Sequence, residues 1–262
     1  MLPSLDGGSG LLKNDPVYFQ QAAISVANNI HEQGWLAWSL WDTHTGTAGN
    51  VGILSALYAL FNSTDPSFII PINALFHATS AYLLLRIGRE IWSGRTGNLA
   101  GLIAGSLFII FPSALSWYSQ PLKDSFVIAG ALLILFSLLK LYQPRNNQHS
   151  ATYLLLFAIG IFLTVFVKPY YIKLILAITT LIALIVIPWV LWARMQGRYQ
   201  TILLYIAAIA LTLGAYKIVP QTANDGMLYE NFSAQLSSVS QSVSQSVSQS
   251  VSQSVSQSVS QQ

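Results

Sequence analysis

The chain has no cysteine among its 262 residues. That absence excludes a disulfide framework, a thiolate nucleophile and any cysteine-based metal site. Charge is almost as scarce: 8% of residues are charged, where soluble domains carry about 25%. Lysine and arginine never run together with interleaved aromatics, which excludes nucleic acid as a partner. Residues 1–20 have neither a basic stretch nor an apolar core, so no cleavable signal peptide is predicted and a later segment must direct insertion. What is abundant is apolar: 53% of the chain is hydrophobic, with a mean hydropathy of +0.53, so the solvent for most of it is lipid.

Five apolar stretches, near 68–87, 98–118, 125–143, 152–170 and 172–193, approach the ~20 residues a helix needs to cross a bilayer. A sixth, 200–217, is borderline. In lipid these segments must be helices, because an open strand leaves its backbone groups unpaired. Residues 49–61 are too few to span comfortably and read as an interfacial or re-entrant helix. The expected class is all-α: a polytopic membrane helical bundle with an extracytoplasmic N-terminal loop of short helices. The loop is residues 1–66, the bundle 67–217, and the remaining tail 218–262.

Charge sets the orientation. Arg86, Arg89 and Arg95 flank one loop, Lys140 and Arg145 mark a second, and Arg194 and Arg198 a third, the placement expected of cytoplasmic loops. The opposite side then receives residues 1–66, the Lys123-Asp124 turn, the Lys168–Lys173 turn and Lys217. From Ser238 the chain repeats Val-Ser-Gln-Ser, with Val239, Val243, Val247, Val251, Val255 and Val259 heading successive units. One valine in four buries too little apolar surface to offset the cost of ordering, so this tract is expected to be disordered. Its regularity also points to slippage in repetitive DNA.

Only nine acids exist, and five precede the first full span: Asp6, Asp15, Glu32, Asp42 and Asp65. Asp15 stands before Pro16, which biases it away from helix, while Pro16 suits the first turn of a helix through Ala23. Asp15 therefore reads as an N-cap, and equally as a carboxylate at a membrane face that takes a proton from an acceptor hydroxyl or holds a metal. Tyr18, three residues on, shares its helix face. In Trp117–Ser125 one span ends and the next begins. Lys123 and Asp124 there read either as a snorkelling anchor with a helix-capping acid, or as a phosphate-binding lysine with an orienting carboxylate. Lys168, Tyr170 and Lys173 at the same level complete a basic, aromatic-edged mouth suited to an anionic lipid headgroup. His31, His44, His77 and His149 show no ligand spacing, and His77 alone lies well inside a span.

Asp15-Pro16-Val17-Tyr18 with Ala22 and Ala23, then a Trp-bearing polar stretch and Gly49-Asn50-Val51-Gly52, resembles the first extracytoplasmic loop of GT-C fold glycosyltransferases. The closer similarity is to the polyprenyl-phosphate-sugar-dependent group related to the protein O-mannosyltransferases (glycosyltransferase family 39). Asn73-Ala74-Leu75 through Gly94-Arg95 looks like that group's second span and cytoplasmic turn. Phe111-Pro112-Ser113 onward to Asp124 looks like its third span and outer end.

The resemblance, over about residues 10–145, implies inverting transfer of a sugar from a polyprenyl phosphate to a glycan, lipid or protein acceptor outside the cytoplasm of a bacterial cell. It implies that Asp15 activates the acceptor hydroxyl. Tyr18, Lys123, Asp124, Lys168, Tyr170 and Lys173 would bind substrate, the lysines neutralising the departing phosphate. It leaves a divalent metal cofactor open. The family carries a span before the acidic loop and further spans after 217. Their absence predicts a fragment with an incomplete donor cavity, possible inactivity included. A transporter and a non-catalytic membrane anchor are the competing classes. Against the transporter, ionisable residues are nearly absent from the span centres and no discontinuous helix is evident, although Pro188 could kink one.

Overall fold

A backbone in lipid must satisfy its own hydrogen bonds, and the computed structural model does so with helices. It describes residues 11, 15–40, 49–142, 150–192 and 199–218. Among them there are no strands and nine α-helices: α1 Asp15–Gln33, α2 Gly49–Phe61, α3 Ile70–Ile91, α4 Gly94–Ile110, α5 Pro112–Tyr118, α6 Asp124–Tyr142, α7 Ser150–Val167, α8 Tyr171–Trp192 and α9 Tyr199–Ile218. The chain divides into two units, Met1–Pro220 and Gln221–Gln262. The second unit lies outside the described residues, and the expectation of a disordered repeat lies there with it.

Five helical segments, of 18 to 26 residues and mean hydropathy 1.6 to 2.8, are long and apolar enough to cross a membrane. The protein is an integral membrane, all-α helical bundle. α3, α6, α7, α8 and α9 form these segments close to the expected boundaries, and α2 coincides with the short helix expected at 49–61. α8 passes through Pro188 as one helix.

The stretch 98–118 departs from expectation. It is two helices, because Pro112 has no N–H to offer the preceding turn and its ring excludes helical geometry just before it. Phe111 accordingly turns extended, with φ −68° and ψ 119°, ending α4 after 17 residues and letting Pro112 open α5. A discontinuous helix is therefore present after all.

Close crossings replace hydrophobic driving force within the bundle, since lipid tails are as apolar as the side chains. α6 meets α7 at Gly130 and Gly160. A Cβ on Gly130 would collide with Thr164 Oγ1 and stand 2.8 Å from the Gly160 carbonyl oxygen. α3 meets α4 where a Cβ on Gly101 would lie 2.5 Å from the Leu85 carbonyl oxygen. α7, α8 and α9 share a further apolar core that includes Phe157, Ile172, Tyr205 and Ala208.

The two ends of the bundle differ. Where α3 ends, Glu90 pairs with Lys140 of α6, and the Arg86 guanidinium lies 5.9 Å from the Phe136 ring centroid. The opposite end carries α1 and α2. The buried face of α1, including Phe19, Ala23 and Ala27, packs on Val51, Leu54 and Tyr58 of α2, on Ile69 and on Leu122. The spacing of four along α1 is that of one helix face. Trp38 donates from its indole to the Gly52 carbonyl at 2.9 Å, tying the Trp-rich segment to the start of α2.

Candidate functional site

The turn between α5 and α6 is clamped from both sides. Asn73 of α3 donates from Nδ2 to the Gln120 carbonyl at 2.8 Å, and Asn50 of α2 donates to the Pro121 carbonyl at 3.2 Å. Ser125 donates to Asn73 Oδ1 at 2.7 Å, so one fully buried asparagine holds both ends of the turn. The Leu122 N–H closes the bend onto the Gln120 carbonyl at 2.7 Å. Buried polar groups in an apolar surrounding persist only when paired. Asn50 Oδ1, also buried, has no hydrogen-bond partner among the described residues.

This turn delivers Lys123 and Asp124, and each meets a different element. The Lys123 ammonium stands over the Phe19 ring, 5.3 Å from its centroid, and Tyr18 meets Phe19 edge-on at 5.7 Å. Phe19 is one helical turn, about 6 Å, beyond Asp15. The first residue of α1 thus lies at the Lys123 end of the bundle, although the Asp15 side chain is outside the described part. Asp124, in the first turn of α6, accepts from Lys168 Nζ at 3.1 Å, across 44 residues. Lys168 also stands over Tyr171 at 5.2 Å, and Tyr170 meets Tyr171 edge-on at 4.9 Å. Lys173, in the first turn of α8, is exposed.

Electrostatics follows this geometry. Burial works against the Lys168 ammonium, yet the charge of Asp124, its hydrogen bond and the neighbouring tyrosines outweigh it, and the Lys168 pKa is raised above 10.5. Burial is also the main cause raising the Tyr170 phenol above 10.0. Lys168 opposes that shift, while Tyr171 and Asp124 add to it.

Beside Asp124 a cleft of about 600 Å³ opens between α3, α4, α5 and α6, lined by Leu107, Phe108, Phe111, Trp117 and Tyr118 among others. Asp124 and Ser125 bring polar groups to its wall, so the cleft joins an apolar surface to the ion pair.

Six of the seven expected site residues, Tyr18, Lys123, Asp124, Lys168, Tyr170 and Lys173, thus have described side chains near one end of the bundle. Five of them, all but Lys173, belong to two contact groups linked through the adjacent Lys123 and Asp124. Sequence reading missed Asn50, Asn73, Ser125 and the cleft. A signal for part of this was present: Asn73, His77 and Ser80 follow one another at helical spacing in an otherwise apolar span, and all three are buried. Among the described residues no three His, Asp or Glu side chains form a possible metal group. Asp42 and His44 lie outside those residues. No protein-family model, curated protein or solved structure matches this chain.

Proposed function

We propose that this chain is a GT-C-type membrane glycosyltransferase, moving a sugar from a polyprenyl-phosphate donor to an acceptor hydroxyl on the extracytoplasmic face of a bacterial plasma membrane. The observation that supports it is the meeting, at one end of the spans, of the helix start bearing Asp15, the Lys123–Phe19 contact and the Asp124–Lys168 pair. In the proposed reaction the Asp15 carboxylate takes the acceptor proton as the acceptor oxygen bonds to the anomeric carbon. The bond from that carbon to the phosphate oxygen breaks, and the polyprenyl phosphate leaves with the electron pair. Lys123 and Lys168 stabilise the charge that develops on it, and the tyrosines shape the mouth. Asp124 holds Lys168 in place and, in doing so, limits how fully that lysine engages the phosphate before substrate arrives.

The transporter alternative gains one feature, the broken helix, and loses it on position. Transporters place such breaks at the bilayer midplane. Here α4 runs 17 residues before the break, a rise of about 25 Å, against a hydrocarbon core of about 30 Å. That puts the break close to the Asp124 end.

The test is transfer from labelled lipid-linked sugars in proteoliposomes, with Asp15→Asn as the control. The variant is expected to lose about 10²–10⁴-fold in rate, the usual worth of a general base. Equal turnover in the variant removes Asp15 from the mechanism. Absence of transfer by the unmodified chain from every lipid-linked sugar tried overturns an active transferase and leaves an inactive one or the anchor. Because the chain has no native cysteine, single cysteines at positions 15 and 123 report their sides of the membrane cleanly. Labelling from opposite sides ends the proposal.

A further inference from the structure

Among the described residues His77 is the one histidine within a span, and it takes no part in the chemistry proposed above. Its ring stacks on Tyr118 at 4.4 Å and meets Phe108 edge-on at 5.0 Å. Both of those rings line the cleft beside Asp124. His77 Nε2 lies 2.9 Å from the Phe108 carbonyl oxygen. A carbonyl only accepts, so Nε2 carries the hydrogen and donates.

The identity of that carbonyl matters. In an unbroken helix the Phe108 carbonyl would accept from the N–H four residues on, which is position 112. Pro112 has no N–H. In lipid an orphaned carbonyl is not tolerated unless another group supplies the donor. His77 reaches it from the neighbouring helix α3, 31 residues earlier in the chain.

We propose that His77 is a positioning residue: its Nε2–H replaces the donor that Pro112 lacks, and so fixes the α4–α5 break that shapes the cleft beside Asp124. Its effect on transfer rests on the glycosyltransferase reading; its effect on the break does not. Without this hydrogen bond, Phe108 and Tyr118 lose their common anchor and the α5 wall of the cleft shifts.

The experiment uses spin labels on cysteines at positions 103 and 115 of the full chain in proteoliposomes. Ile103 and Leu115, 51% and 49% exposed, flank the break. His77→Gln, whose amide can donate from a similar place, is expected to keep the parent distance distribution and transfer rate. His77→Phe keeps the ring but loses the donor; it is expected to shift or broaden the distance and lower transfer at least tenfold. Pro112→Ala restores the N–H, giving a single separation of about 18 Å for a continuous helix and loss of transfer. Adding His77→Phe to Pro112→Ala is expected to change the distance no further, and the double variant folds because the carbonyl has regained a donor. A purely structural role for His77 would instead let the double variant recover transfer.

An unchanged distance in His77→Phe overturns the proposal, as does a His77→Gln variant that behaves like it. A shifted distance with parent-level transfer overturns the positioning role. If the parent transfers no sugar, an active enzyme is ruled out, while the distances still decide whether His77 holds the break.

Discussion

Replacing Asp124 by asparagine removes one charge from the Lys168 pair while keeping the side chain's shape. At 3.1 Å and an effective dielectric constant of about 20, the attraction is about 5 kcal/mol before desolvation is counted. Removing one partner of a fully buried pair costs about 3–5 kcal/mol, and an exposed pair is worth about 0–1 kcal/mol. With the Lys168 and Asp124 side chains 13% and 30% exposed, the pair falls between these limits, and a loss of about 1–3 kcal/mol is expected. Thermal unfolding in detergent should then fall by about 2–12 °C.

The pH dependence sharpens the test. The folded-state pKa of Lys168 lies above its ordinary 10.5, so its stabilising contribution is complete below pH 10.5 and disappears as pH rises through the raised value. The gap between the parent and Asp124→Asn should be constant from about pH 7 to 9.5 and close at higher pH. The reasoning is refuted by equal stability of the two proteins at pH 7. It is also refuted by a gap that persists undiminished once Lys168 has lost its proton.

Gly130→Val should overpack the α6–α7 crossing and cost about 1–3 kcal/mol or more. Gly214→Ala, at a helix position with nothing within 4 Å, should be neutral or stabilise by up to about 1 kcal/mol; thermal unfolding of both variants checks the contrast. Asn73→Ala should strand the Gln120 carbonyl and the Ser125 hydroxyl, costing about 1–3 kcal/mol. Hydrogen exchange should accelerate at the N–H of Leu122, and unchanged protection there would contradict the clamp.

The sequence by itself determined the class of the molecule. Runs of apolar residues near the length of a bilayer, with arginines gathered at or beside alternate span ends, leave helices as the available solution, and the boundaries of α3 and α6–α9 follow. It also determined the chemical character of one end, because Lys123, Asp124, Lys168 and Tyr170 are forced to span ends by the scarcity of charge elsewhere. The signal at Pro112 was legible too, but apolarity on both sides masked it: hydropathy averages over a window and registers no missing N–H.

The tertiary structure alone decided which of these residues meet. Asp124 finds Lys168 across 44 residues, Asn73 finds Gln120 across 47, and His77 finds Phe108 across 31. Such partners depend on which helices lie side by side and at what rotation, set by crossings such as Gly130 on Gly160. Local patterning fixes the face a helix must bury; only the packed bundle fixes what that face is buried against.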